Sequence, residues 1–301
     1  MAAWTRGFLL RARAKLNLAL SLGSVQANGL HEIRSFAASL TLADDLRFEP
    51  HGGTFSVICK GIDLPERENL VFRAGEALGV VTDDILIRIE KRIPVQAGLG
   101  GGSADAAAAL MGLARIARER EAREIKESLI LTAAAKLGSD VPACLISGFK
   151  RIAGTGEIVH REEVACPSWG VALLKPAVSL STAVAYRLFD ERELALERPS
   201  KPLDARDNAD QIAATIRSGS YTDFCALLHN DFDEVVSLAL PEVARAHDRL
   251  RSAEAGATLL CGSGTTVAGF FKTVAAAAAA ISSIKLGLGE WSAASEFADG
   301  G

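Results

Sequence analysis

Four glycines fall within the five positions 98–102, in the run Gly98-Leu99-Gly100-Gly101-Gly102-Ser103. Glycine reaches backbone dihedrals closed to other residues and lets a ligand approach the main chain. An alanine-rich stretch predicted as a helix follows from Ala104 to about Ala117. Successive N–H groups opening a helix, with the helix dipole behind them, form an anion cradle. Ser103 stands at the junction, where its hydroxyl would either cap the helix or turn to a phosphate or Mg²⁺ ion. The competing reading is a tight strand-to-helix turn, which needs one or two glycines and not four. Two nucleotide signatures are absent: the chain has no Gly-Lys pair, hence no GxxxxGK[ST], and no GxGxxG.

Other residues carry weaker signals. Asp140 follows the Gly138-Ser139 break and precedes Pro142, a pattern that suits a helix start. There it is a helix cap or first-turn carboxylate, or else a general base. Lys15 and Asn17 alternate with Ala14, Leu16 and Leu18, so a period of two puts them on one strand face, opposite the core. The Gly262-Ser263-Gly264 turn makes a hairpin or approaches a ligand. His31 reads as a surface or partner-satisfied imidazole, Tyr186 as a core-edge aromatic, and Glu157 as turn chemistry. Five histidines form no HxxxH pair, and five cysteines form no CxxC pair. No metal cage is visible, and the odd cysteine count fits reduced thiols of a cytoplasmic protein.

The elements that must hold these residues follow from periodicity. Leu10, Ala12, Ala14, Leu16, Leu18 and Leu20 mark a first strand, followed by a turn region over 23–29 and a second strand over 32–42. A helix is predicted over 68–78 and a strand through Ile85, Ile87 and Ile89. A charged stretch, 118–127, precedes a helix ending at Gly138. The stretch 155–170 has no pattern and is taken as the domain boundary. Beyond it come a strand over 170–175 and helices near 181–189, 207–217, 221–229 and 241–254. Strands at 258–260 and 266–271 flank the Cys261-Gly262-Ser263-Gly264-Thr265 turn, and an alanine helix covers 274–282.

Length and composition set the frame. The chain has 301 residues, about two domains' worth, and 49% of them are hydrophobic. A formal charge of −4 gives no global attraction to nucleic acid or an acidic membrane. No apolar run approaches the roughly 18 residues of a membrane helix. Arg6, Arg11, Arg13 and Lys15 interrupt any signal-peptide core.

Three motifs together resemble the GHMP kinase superfamily of galacto-, homoserine, mevalonate and phosphomevalonate kinases. They are Ala14-Lys15-Leu16-Asn17-Leu18, the stretch from Pro94 through Ser103 to Ala107, and Leu259-Leu260-Cys261-Gly262-Ser263-Gly264-Thr265-Thr266-Val267. The resemblance spans essentially the whole chain. Within the superfamily, Leu137-Gly138-Ser139-Asp140-Val141-Pro142, the 178–186 stretch and Asn230-Asp231-Phe232 are similar to the branch that phosphorylates the 2-hydroxyl of a cytidine-diphosphate sugar alcohol in isoprenoid precursor synthesis. One departure is clear: Asn28-Gly29-Leu30-His31 replaces the usual Asp-Gly-Tyr-His, so Leu30 stands where an aromatic would sandwich the cytosine. Cys261 and Ala104 stand where serines are common.

The resemblance implies an α/β (α+β) fold of two domains. The first, 1–163, is the ribosomal-S5-like ATP-binding domain, and the second, 164–301, is ferredoxin-like. It implies ATP held by Pro94, Gly98, Leu99, Gly100, Gly101, Gly102 and Ser103, with Mg²⁺ near Ser103. Asp140 is implied as catalytic base and Lys15 as its partner. Asn17, His31, Thr182, Tyr186 and Gly264 are implied around the substrate, with Tyr186 stacking on the cytosine. The expected partner is that small molecule, with no nucleic acid or membrane, and the protein itself a monomer or homodimer. Two alternatives stand beside this reading. One is another kinase of the superfamily, of mevalonate or homoserine type; the other is a catalytically silent nucleotide-binding module.

Overall fold

The computed structural model describes residues 4, 6–27, 29–61, 65–79, 84–121, 123–196, 203 and 208–300; Asn28 and Asp207, named in the sequence readings above, lie outside them. The chain divides into two compact units that interleave in sequence. The first is Met1–Ala14, Leu42–Ile93 and Gly100–Ile146; the second is Lys15–Thr41, Pro94–Leu99 and Ser147–Gly301. Two long strands, β1 (Phe8–Val25) and β2 (His31–Pro50), each contribute residues to both units.

In the first unit, residues 45–50 of β2 pair antiparallel with β4 (Ile85–Glu90), and β3 (Ser56–Cys59) lies parallel to β4. The apolar residues of these strands meet those of α1 (Leu70–Leu78), α2 (Gly101–Glu121), α3 (Glu127–Leu137) and α4 (Val141–Cys144) in one core containing Phe48, Ile87, Val71, Leu110 and Val141. Asn69 starts α1 by accepting a hydrogen bond from the Val71 N–H. Helix α2 starts three residues before the expected Ala104, so Gly101, Gly102 and Ser103 form its first turn. It also runs on to Glu121, into the first residues of the charged stretch. Arg115 and Glu119 pair four residues apart on its exposed side, which solvates those charges without ending the helix.

In the second unit, β7 (Gly170–Lys175) is central to an antiparallel sheet of order β11-β7-β10-β9, with β9 (Ala257–Leu260), β10 (Val267–Phe271) and β11 (Trp291–Glu296). Helices α9 (Pro241–Ser252) and α10 (Val274–Ser283) pack on β7 and β10. Residues 35–38 of β2 pair with β5 (Phe149–Ala153), which pairs with β6 (Ile158–Glu162). The short β8 (His229–Asn230) lies parallel to Ala19 and Leu20 of β1. Helices α5 (Thr182–Ala195), α6 (Ala209–Ser218), α7 (Tyr221–Leu227) and α8 (Phe232–Ala239) complete the unit.

Two expectations are corrected. The stretch 155–170 is not patternless loop, because β6 runs through it. No residue of β6 is fully buried, so no apolar alternation marks it in the sequence. From Lys15 onward the polar face of β1 does not face solvent either: every residue from Lys15 to Leu22 is buried, while Arg11 on the same face is exposed. Within the second unit that face is covered by other backbone and polar groups. The Lys15 N–H donates to the Leu99 carbonyl (2.9 Å), and the Asn17 amide donates to Ser35 Oγ (2.7 Å).

Candidate active site

In the second unit the first part of the glycine loop meets the C-terminal glycine turn, backbone against backbone. Gly98 adopts φ +77°, and a Cβ there would overlap the Cys261 carbonyl oxygen. A Cβ on Gly264 would overlap the Gly98 nitrogen. Each glycine is required because the partner's main chain occupies the space a side chain would need. The turn closes on itself through Cys261 N–H to Thr266 O (2.9 Å) and Gly264 N–H to Cys261 O (3.1 Å). It is tied to the 178–186 stretch, since Thr265 Oγ1 donates to Val178 O (3.0 Å) and Ser263 Oγ donates to Thr182 Oγ1 (3.1 Å). Thr182 therefore lies at the glycine turn, beside Gly264.

Asn17 is 2% exposed. Its Nδ2 donates to Ser35 Oγ, which in turn donates to the Ala19 carbonyl (2.6 Å), an order that fixes the amide's orientation. The Asn17 Oδ1 is buried and accepts no hydrogen bond from the described residues. An unsatisfied buried acceptor costs about 1–3 kcal/mol, so a donor from a bound molecule would be favoured there. His31 is also buried, with Nδ1 2.8 Å from the Gly23 carbonyl oxygen and Nε2 3.1 Å from Asp190 Oδ1. Its ring stacks on Tyr186 at 5.0 Å, and Tyr186 meets Phe232 edge-on at 4.9 Å. Tyr186 is thus a half-buried ring fixed by two aromatic neighbours, and Leu30, next to His31, is exposed.

The first unit holds the rest of the loop. The Ala104 N–H donates to Gly100 O (2.8 Å), which leaves the earlier N–H groups of the first turn without helical acceptors. A buried ionic group supports this turn. Lys91 Nζ donates to Asp44 Oδ2 (2.5 Å) and to Asp105 Oδ2 (2.7 Å), and Asp44 Oδ1 accepts the N–H groups of Arg92 (2.5 Å) and Ile93 (2.8 Å). Burial pushes the Asp105 carboxyl up to about 7, against the opposing pull of Lys91; the Asp44 charge adds to the rise. Lys91 itself is raised by the two carboxylates despite its own burial. Asp140 precedes α4, which packs on α2. The turn starts at φ −86° with Pro142 inside it, yet the Asp140 side chain makes no capping bond. The cap reading of this aspartate is set aside.

The implied residues thus fall into two groups. Lys15, Asn17, His31, Pro94, Gly98, Leu99, Thr182, Tyr186 and Gly264 belong to the second unit; Gly100, Gly101, Gly102, Ser103 and Asp140 belong to the first. The contacts seen are Lys15 with Leu99, Gly98 with Gly264, and His31 with Tyr186. Sequence reasoning missed Ser35, Lys91, Asp44 and Asp105. Asp44 lies 47 residues before Lys91, and no local pattern announces such a pairing. Among the described residues no group of three His, Cys, Asp or Glu side chains is placed to hold a metal. The Ser103 hydroxyl, in the first turn of α2, is an oxygen donor of the kind that suits a Mg²⁺ ion.

The chain is similar to known proteins along most of its length. Residues 69–148 match the family described as GHMP kinases N terminal domain, and residues 212–287 the one described as GHMP kinases C terminal. The chain is 39% identical to the 4-diphosphocytidyl-2-C-methyl-D-erythritol kinase of Pelotomaculum thermopropionicum, over 86% of this chain and 87% of that one. It is 31% identical to the enzyme of the same name from Alkaliphilus metalliredigens, over 92% of each chain. A crystal structure of 4-(cytidine 5'-diphospho)-2C-methyl-D-erythritol kinase superposes with a TM-score of 0.73 at 26% identity, covering 96% of this chain and 99% of that one. Two-domain GHMP kinase architecture, motif order and close relatives converge: the chain belongs to the 4-diphosphocytidyl-2-C-methyl-D-erythritol kinase family of the GHMP kinases.

Proposed function

We propose that the protein transfers the terminal phosphoryl group of ATP to the 2-hydroxyl of 4-diphosphocytidyl-2-C-methyl-D-erythritol, a step of isoprenoid precursor synthesis in the cytoplasm. The observation that carries this reading is the opening of α2. Its first three residues are Gly101, Gly102 and Ser103, and the whole helix is 21 residues long. Its free N–H groups and dipole suit a polyphosphate.

Phosphoryl transfer asks the protein mainly to position the reactants and to stabilise charge. Main-chain N–H groups over 98–103 hold the phosphates, and Pro94 and Leu99 shape the loop's approach. The Ser103 hydroxyl would help hold a Mg²⁺ ion carried in with ATP, which would supply charge neutralisation. Asp140 accepts the alcohol's proton. Lys15 neutralises charge at the hydroxyl and at the group in flight. Asn17, through its unused Oδ1, orients the substrate by accepting one of its hydroxyl protons. His31, Thr182 and Gly264 line the substrate, and cytosine stacks on Tyr186. The His31–Tyr186 stack supports that placement, because it fixes the ring in advance of binding. The proposed domain limits remain 1–163 for ATP binding and 164–301 for the C-terminal domain, and the functional form is a monomer or homodimer.

The test is ADP release from the purified protein with ATP, Mg²⁺ and a panel of alcohols. Turnover is expected with 4-diphosphocytidyl-2-C-methyl-D-erythritol and not with mevalonate or homoserine. Turnover with mevalonate alone would move the assignment to another kinase of the superfamily. ATP binding with no turnover on any alcohol would favour a silent nucleotide-binding protein.

A further inference from the structure

Asn230 belongs to the Asn230-Asp231-Phe232 run, to which the proposed chemistry gives no role. It is 7% exposed, and its amide is fully used. Nδ2 donates to the Leu260 carbonyl (2.8 Å) and to the Gly262 carbonyl (2.7 Å), while Oδ1 accepts the Phe232 N–H (3.0 Å) at the start of α8. One planar side chain thereby bridges the end of β9, the glycine turn and the next helix.

Its neighbours anchor that bridge to β1. The Asp231 N–H donates to Leu20 O (3.0 Å), and Asp231 Oδ2 accepts the Leu22 N–H (2.7 Å). Asp233 Oδ2 accepts the Leu260 N–H (2.9 Å), so both backbone groups of Leu260 are held from the 230–233 segment. The same β1 holds the glycine loop through the Lys15 N–H to Leu99 O bond. The ring of contacts closes where Gly264 meets Gly98 with no room for a side chain.

We propose that Asn230 is a positioning residue that sets where the 262–264 turn rests on Gly98, and through it the shape of the loop that receives the ATP phosphates. Two carbonyl oxygens face one amide nitrogen, so only a two-proton donor at this position satisfies both. Losing it frees two buried carbonyls at the point where backbone contacts leave least slack. The phosphate part of this inference rests on the proposed function; the positional part does not.

The test uses Asn230→Ala and the milder Asn230→Ser, a single-proton donor, in the full-length protein. Hydrogen exchange is read over 96–100 and 259–266, and affinities are measured for a non-hydrolysable ATP analogue and for cytidine diphosphate. Temperatures are kept below each variant's unfolding transition. Exchange is expected to rise in both segments, more in Ala than in Ser. Affinity for the ATP analogue is expected to fall about tenfold in Ala, and that for cytidine diphosphate, whose cytosine the proposed site holds at Tyr186 and not at the turn, to fall no more than about threefold, a split that general destabilisation would not produce. Unchanged exchange at 96–100 in both variants would overturn the proposal, as would raised exchange with unchanged affinity for the ATP analogue. If exchange rises as expected but the unmodified protein does not bind the analogue, the positional role is supported and the phosphate reading of the loop fails instead.

Discussion

Lys91 and Asp105 lie 2.7 Å apart in a buried ion pair that links the end of β4 to the second turn of α2, and the same ammonium also serves Asp44. One cation therefore stands between two carboxylates, of which Asp44 is fully buried and Asp105 5% exposed.

Lys91→Met leaves those carboxylates facing each other without a counter-charge. Removing one partner of a buried ionic group costs about 3–5 kcal/mol. Urea unfolding should show a loss of about 3 kcal/mol or more. Adding Asp105→Asn should restore at least about 1 kcal/mol, since one of the stranded charges is gone. A single variant within about 0.5 kcal/mol of the parent would contradict this account.

Gly264→Ala forces a methyl group into the Gly98 backbone. Misplacement of reacting groups by about 1 Å costs about a hundredfold in rate, so kcat/KM should fall at least that far. Gly52→Ala, where an added carbon meets nothing within 4 Å, serves as the neutral comparison.

Tyr186→Ala removes a ring already held against His31. If cytosine stacks there, the KM for the cytidyl substrate rises about tenfold while kcat falls less, the mark of ground-state binding. An unchanged KM would remove Tyr186 from the substrate site.

Stability in acid should depend on Glu162. Hydrogen bonds from Arg151 (2.8 Å) and Arg217 (2.6 Å) lower its carboxyl below the ordinary glutamate range, Arg151 having the greater effect. The folded state then holds the proton less tightly than the unfolded chain, whose glutamate titrates near 4.3. The contribution is complete above that value and lost as pH falls through the lower folded value. Glu162→Gln should therefore cost about 1 kcal/mol at pH 7 and progressively less below about pH 4. Thermal unfolding of both proteins across that range checks it; a gap that widens in acid would reverse the sign.

Much of this site was legible because its backbone requirements are written in residue types. Gly98 and Gly264 announce a close approach, and the alternation through Leu16 and Leu18 announces β1. The twin carboxylates around Lys91 were not legible, since Asp44, Lys91 and Asp105 come together only through the pairing of β2 with β4 and the packing of α2. The buried state of Lys15 and Asn17 was misjudged for a similar reason: period two reports one apolar face and is silent about a second face covered by Ser35 and the loop backbone. Strands β6 and β11 escaped notice because neither presents a regular buried face. The named topologies, and the roles of Asp140 and Tyr186, came from resemblance and not from pattern.

The central claim is that the glycine loop holds ATP while Asp140 takes the proton of the alcohol. It is tested most directly by Asp140→Ala, with single-turnover phosphoryl transfer and ATP affinity measured on the same preparation. Transfer should be abolished while ATP affinity stays within a few-fold, because the loop's amides are untouched. Near-normal transfer by Asp140→Ala would contradict the account.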